Sequence, residues 1–213
     1  MSQMIDPKTI NCNLITDQIP LVMNALYNKE VSSQLTLDDI KDAFRLKQIQ
    51  GKTWLIENFM NLVKDKNAKV LVVGGWLGFI SLCLHKKGYS NIIEVDSDSK
   101  YSKFSRYLNR FNKEFRHITL DVNDLDTSVF DVIVNTSCEH IKDNHWFNKV
   151  TDTTKFFLQS NDMIAPDHIN ICINLDDMKT KYPLVIDYEG CIDFDDYKRF
   201  MLIGNKNANN FSN

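Results

Sequence analysis

The chain has 213 residues, 43% of them apolar and 25% charged, and its 28 acidic against 25 basic side chains leave a net charge of -3. This is the composition of a soluble globular domain long enough to bury one sizeable core. It exerts no bulk attraction on a phosphate backbone, and nucleic acid is therefore disfavoured as a partner. Cys12, Cys83, Cys138, Cys172 and Cys191 are odd in number and widely spaced with no C-x-x-C pair, which suggests neither a zinc ribbon nor a disulfide framework and points to reduced thiols in a cytoplasmic setting. No apolar run approaches the roughly 20 residues of a membrane span, and the first ten residues have no signal-like apolar region.

The first ~65 residues read as helical. Thr36 is an N-cap candidate for a helix carrying Leu37, Ile40, Phe44 and Ile49. After Gly51, the spacing of Ile56, Phe59, Met60 and Val63 places them on one face of another helix. From Lys69 the pattern changes to short β-branched runs at 69–73, 91–95, 116–120, 130–134 and 155–158. Helical patterns at 79–87 and 100–111 fall between them, the second with an apolar stripe of Tyr101, Phe104, Leu108 and Phe111. Two closing runs, 184–188 and 199–203, are spaced to pair antiparallel. Strands alternating with helices imply a doubly wound, mostly parallel sheet. The organisation expected is a helical extension over 1–66, an α/β domain over 67–204 and a polar tail over 205–213.

Three segments carry chemistry. In Val70-Leu71-Val72-Val73-Gly74-Gly75-Trp76-Leu77-Gly78-Phe79 a buried strand enters a glycine turn and a helix starts at once. Such a turn lets a ligand approach the main chain, and the helix N-terminus offers unpaired N–H groups to an anion. In Ile92-Ile93-Glu94-Val95-Asp96 an acid ends the next strand about 20 residues later, where it can accept hydrogen bonds from both hydroxyls of a ribose. In Ile118-Thr119-Leu120-Asp121-Val122 a second acid ends the third strand, a natural contact for an adenine amino group.

In this order the segments resemble the class I S-adenosylmethionine (SAM)-dependent methyltransferases over roughly 67–204. The resemblance implies a seven-stranded Rossmann-like sheet with an antiparallel last strand, here Tyr197–Gly204. It also implies SAM as cofactor, held by Gly74, Gly75, Trp76, Gly78, Asp96, Asp121, Val122 and, at the end of the fourth strand, Asn135. The stretch Asn135-Thr136-Ser137-Cys138-Glu139-His140 is similar to methyltransferases of phage genomes. Two positions depart from the family: Trp76 stands where its pattern has glycine, and Val72 where its first strand carries an acid. By analogy with N-terminal lids of the superfamily, Lys52 and Trp54 are placed to close over the cofactor, although the favoured reading is an exposed lysine and a core tryptophan.

Reacting groups of open α/β sheets lie beyond the carboxyl ends of the strands. Glu139, His140 and His168, in polar segments after the fourth and fifth strands, are the candidates for a base or a substrate anchor; each also reads as a polar loop residue that caps a helix or bonds the backbone. Gln159-Ser160-Asn161-Asp162 is expected as a polar loop. Metal binding is not expected, because Glu139, His140 and His145 lack the i, i+4 helical spacing of zinc enzymes. Cys138 has no base beyond its near neighbour His140.

The function expected is direct in-line methyl transfer to a small molecule or a protein side chain. The alternatives are other SAM chemistry, such as SAM cleavage or aminocarboxypropyl transfer, and a non-catalytic methyltransferase-like binding subunit. A nicotinamide dehydrogenase would need glycines at Trp76 and Phe79. A DNA methyltransferase would need a [DNS]-P-P-[YF] block, or a Pro-Cys nucleophile, that the chain lacks.

Overall fold

The computed structural model describes residues 3–150 and 153–206. In chain order its main elements are β1 (Gln3–Ile5), α1 (Asn13–Thr16), α2 (Ile19–Tyr27), α3 (Lys29–Ser32), α4 (Leu37–Ala43), α5 (Leu46–Leu62), β2 (Val70–Val73), α6 (Phe79–Lys86), β3 (Ile92–Asp96), α7 (Ser102–Leu108), β4 (Arg116–Thr119), β5 (Val132–Asn135), α8 (His145–Asn148), β6 (Lys155–Asn161), α9 (Leu175–Lys181), β7 (Val185–Asp193) and β8 (Lys198–Asn205). The fold is the mixed, Rossmann-like α/β class expected, with eight strands among the described residues in place of seven. Among the described residues no helix is long and apolar enough to cross a membrane. The polar tail expected over 205–213 lies outside the described residues beyond Lys206.

The chain divides into two compact units, Ile10–Val122 and Met1–Thr9 with Asn123–Asn213. In the first, β2, β3 and β4 run parallel, with Val72 beside Glu94 and Val95 beside Ile118. All four residues of β2 are buried, as a parallel strand covered on both faces requires. Helices α1 and α5 pack on α6, and α2 and α3 on α7. Phe59 of α5 meets Tyr89 edge-on at 5.0 Å, and the Tyr89 hydroxyl donates to the Val63 carbonyl at 2.5 Å.

Three helical expectations change. The helix begun at Thr36 stops at Phe44, since Arg45 is extended (φ -57°, ψ 132°), and Ile49 belongs to α5. Gly51 does not interrupt that next helix but lies buried inside it; interior glycine costs a helix about 1 kcal/mol, which burial of this face outweighs. Phe111 leaves the stripe of α7, which ends at Leu108, and is 63% exposed.

In the second unit the strand order is β1-β7-β8-β6-β5. Strand β8 runs antiparallel to both β6 and β7, while β5 is parallel to β6. The additional strand, β1, pairs parallel with β7 through Met4 and Cys191. Strand β6 continues past the expected 155–158 to Asn161, so Gln159, Ser160 and Asn161 are buried strand residues, not a loop. Fully buried Trp146 and Phe147 of α8 pack with Phe156 and Tyr182.

The start of α4 couples local folding to pH. Thr36 and Asp39 form a reciprocal capping box, and Asp39 Oδ1 also accepts from the Tyr101 hydroxyl at 3.0 Å and faces Lys100 Nζ at 3.1 Å. Burial pushes the Asp39 carboxyl up, but the Thr36 N–H and hydroxyl, Lys100 and Tyr101 outweigh it and hold the group at about 2. A carboxyl depressed below its unfolded value, about 3.9, stabilises the fold above that value and loses the contribution as pH falls through the folded pKa. In urea unfolding, the stability gap between wild type and Asp39→Asn is therefore expected to shrink between roughly pH 5 and pH 2; a constant gap would refute this role.

Candidate functional site

The glycine turn after β2 is built by backbone conformation and by two carboxyl groups of β3. Gly74 (φ 61°), Trp76 (φ 51°) and Gly78 (φ 79°) all occupy the left-handed region. For Trp76 this is costly, since a bulky side chain there crowds its own backbone by roughly 1–3 kcal/mol. The residue nevertheless adopts this left-handed conformation, which favours glycine. Its amide N–H donates to Asp96 Oδ2 at 2.9 Å, and Asp96 Oδ1 accepts from the Asp98 N–H at 2.9 Å. Burial raises the Asp96 pKa, the two N–H donors oppose that shift, and nearby Glu94 adds to it.

The half-buried Trp76 ring meets Tyr101 edge-on at 6.2 Å, and Lys52 Nζ lies 5.3 Å from its centroid. Lys52 thus reaches the glycine turn, buried and hydrogen-bonded to Gln48 at 3.0 Å, whereas Trp54 belongs to the core. After β4, Asp121 is exposed and Val122 buried.

Beneath the turn lies a group that sequence reasoning missed. Glu94 is fully buried, and its carboxyl group takes the Ser81 hydroxyl at 2.6 Å, the Ser105 hydroxyl and His117 Nδ1 at 3.0 Å. These partners come from α6, α7 and β4. Val72, the position that lacks the expected acid, is the register neighbour of Glu94. An acid is therefore present at this level of the sheet, one strand over. Its stem fills the space where a Cβ on Gly75 would stand, so Gly75 is required by close approach. A Cβ at Gly78 would lie 2.6 Å from Ser105 Oγ and from Asn109 Nδ2.

In the other unit, Asn135 ends β5 fully buried; its Oδ1 accepts from the Ser137 N–H at 2.8 Å and its Nδ2 has no partner among the described residues. The short helical turn Cys138–His140 follows. Cys138 is fully buried with its pKa pushed far up by that burial, which leaves a protonated thiol and no nucleophile. Glu139 is buried, and its Oε1 accepts from Asn161 Nδ2. His140 stacks edge-on with His168, ring centroids 4.7 Å apart, although 28 positions separate them (168 minus 140). The segment carrying His168 is tied down by the Asn170 N–H on the Glu139 carbonyl at 2.9 Å and by Asn170 Nδ2 on the Ile141 carbonyl at 3.1 Å. Glu139, His140 and His168 are thus brought together.

No family model matches the chain, and no curated protein matches it in sequence. Among solved structures its fold is that of the class I methyltransferases. It is similar to a Pyrococcus abyssi tRNA (uracil-54, C5)-methyltransferase in complex with S-adenosyl-L-homocysteine (12% identity, TM-score 0.55), covering 73% of this chain and 38% of that one. It is also similar to a ribosomal protein L11 methylase from Lactobacillus delbrueckii subsp. bulgaricus (13% identity, TM-score 0.53, 75% and 80% covered) and to the CurJ carbon methyltransferase (11% identity, TM-score 0.60, 92% and 66% covered). The chain spans little more than a third of the tRNA enzyme's length. These likenesses correct one expectation: nucleic acid cannot be set aside as a substrate, because a protein acting on tRNA shares this fold. The physical reason is that net charge sums over the whole chain, while recognition depends on local distribution and on flanking domains.

The packing of Glu94 under Gly75 gives a test by double substitution. Glu94→Ala is expected to cost about 3–5 kcal/mol, since it strands buried donors, and Gly75→Ala is expected to be strongly destabilising through collision with the Glu94 stem. Because Glu94→Ala removes that stem, the double variant in urea unfolding should lose clearly less than the sum of the singles. Simple additivity would show that the two residues do not share this space.

Proposed function

We propose that the chain is a SAM-dependent methyltransferase that holds SAM through the turn Gly74–Gly78 and Asp96. The observation that carries this reading is the hydrogen bond from the Trp76 amide to Asp96 Oδ2 at 2.9 Å. It locks the glycine turn to the end of β3 and orients the carboxylate, whose remaining lone pairs are free in number to accept two ribose hydroxyls. Asp121 and Val122, just beyond the end of β4, are the proposed contacts of the adenine. The left-handed backbone at three positions keeps the turn in the shape that a close-lying ligand needs, in spite of Trp76.

The sulfonium of SAM is already a strong electrophile, so the protein's task is alignment of the acceptor with methyl and sulfur, which can supply about 7–11 kcal/mol. The fold neighbours act on tRNA, on a ribosomal protein and at carbon. The acceptor is accordingly sought without prejudice, by following labelled methyl from SAM into RNA, protein and small-molecule fractions.

Calorimetry should detect binding of SAM and of S-adenosylhomocysteine. Asp96→Ala should weaken it about 10- to 100-fold, the worth of hydrogen bonds to a charged acceptor. Because burial raises the Asp96 pKa, affinity should begin to fall on acidification at a higher pH than an ordinary aspartate would give. Absence of binding by both ligands at high micromolar concentration would overturn the proposal.

A further inference from the structure

We propose that Glu139, His140 and His168 form a binding site for one divalent transition-metal ion of the zinc class. One donor atom from each residue lies within 4.8 Å of the other two. Three ligands around a zinc ion at about 2.1 Å stand roughly 3.4 Å apart in tetrahedral geometry. Small side-chain rotations close that difference, and the His140 side chain, 39% exposed, has room to make them.

Two further observations point to a cation. Glu139 is 3% exposed, yet its Oε2 has no hydrogen-bond partner among the described residues. A buried carboxylate oxygen left bare is costly, and a metal ion is one of the few groups that offsets the cost. Both histidines, in turn, are held by Nδ1. His140 Nδ1 faces the Asp167 carbonyl at 3.1 Å and the Asp167 carboxylate at 3.3 Å, and His168 Nδ1 faces the Met163 carbonyl at 2.8 Å. A carbonyl oxygen can only accept, so Nδ1 carries the proton in each neutral ring and Nε2 keeps the lone pair. That is the tautomer a metal ligand needs, with the outer partner that metal-bound histidines almost always have.

Two imidazoles and one carboxylate suit zinc, iron(II) or nickel more than magnesium or calcium, which favour all-oxygen shells. Three protein ligands also leave a coordination position open for water or an oxygen donor of a substrate. The i, i+4 spacing test failed to find this set because the third ligand comes from a distant segment, pinned by Asn170, and not from a helix. The site lies within one compact unit and its test needs no SAM, so the metal proposal and the methyltransferase proposal can fail separately.

The experiment uses the full chain, stripped with a chelator and titrated with Zn²⁺ in calorimetry, with metal content measured by mass spectrometry and Co²⁺ as a visible-absorption probe. One ion per chain is expected. His168→Ala and exposed His140→Ala should each weaken Zn²⁺ binding by about 100-fold or more, while Asp167→Ala, which removes an outer partner, should cost about 10-fold. Thermal melting of the metal-free variants checks that they remain folded. No stoichiometric Zn²⁺ binding at high micromolar concentration would overturn the site. So would wild-type affinity in folded His140→Ala or His168→Ala, since the ion would then sit on other groups, such as the cysteines.

Discussion

Glu94 is the constraint around which the first unit is arranged. Its carboxyl group has no solvent contact and takes hydrogen bonds from α6, α7 and β4 while its stem fills the volume under Gly75. Burying such a group is favourable only when its oxygens are satisfied, so the two hydroxyls and the imidazole are structural requirements of the sheet. The same contact makes a glycine necessary at 75. The conformation of the turn and the interior of the unit are therefore one problem, solved by one side chain.

That arrangement also explains how the turn accommodates two departures from the methyltransferase pattern. An acid missing from β2 at Val72 is matched by one at the same register on β3. A glycine missing at position 76 is replaced by a tryptophan that nonetheless adopts φ 51°. The strain is held by the Asp96 carboxylate on the Trp76 amide, and the ring is held by Tyr101 and Lys52. Tyr101 is fixed in turn by Asp39 at the cap of α4. A sequence of side-chain contacts thus runs from the N-terminal helices to the turn, which is how residues far from the motif come to shape it.

What the sequence made legible were features with a local physical cause. Short runs of apolar and β-branched residues marked seven of the eight strands among the described residues, and the Thr36 cap marked the start of α4. The glycine turn and Asp96 were visible through spacing alone. Strand β1, only three residues long, has no periodicity to read. Gln159, Ser160 and Asn161 looked like a loop because they are polar, whereas the strand buries them and ties Gln159 to Met201 and Asn161 to Glu139, contacts that composition cannot reveal. Glu94 was passed over as one position of a strand, and His168 could not be joined to Glu139 and His140 because Asn170, 29 residues beyond Ile141, does the joining. Long-range pairing of polar groups leaves no period in the chain.

The same limit bears on how Glu139, His140 and His168 are to be understood. A histidine acting as general base and one acting as metal ligand share a tautomer, an orienting partner and an open lone pair, so the rings alone do not separate the two roles. Glu139 does. A base or a substrate anchor must reach the bound acceptor, and an oxygen sealed in the interior offers it no contact there. A ligand gains from it, because burial strips away the water that would compete for the cation and strengthens the attraction between opposite charges. One carboxylate oxygen tied to Asn161 and the other bare, beside two imidazoles of fixed tautomer, is an arrangement whose electrostatic cost a bound cation removes.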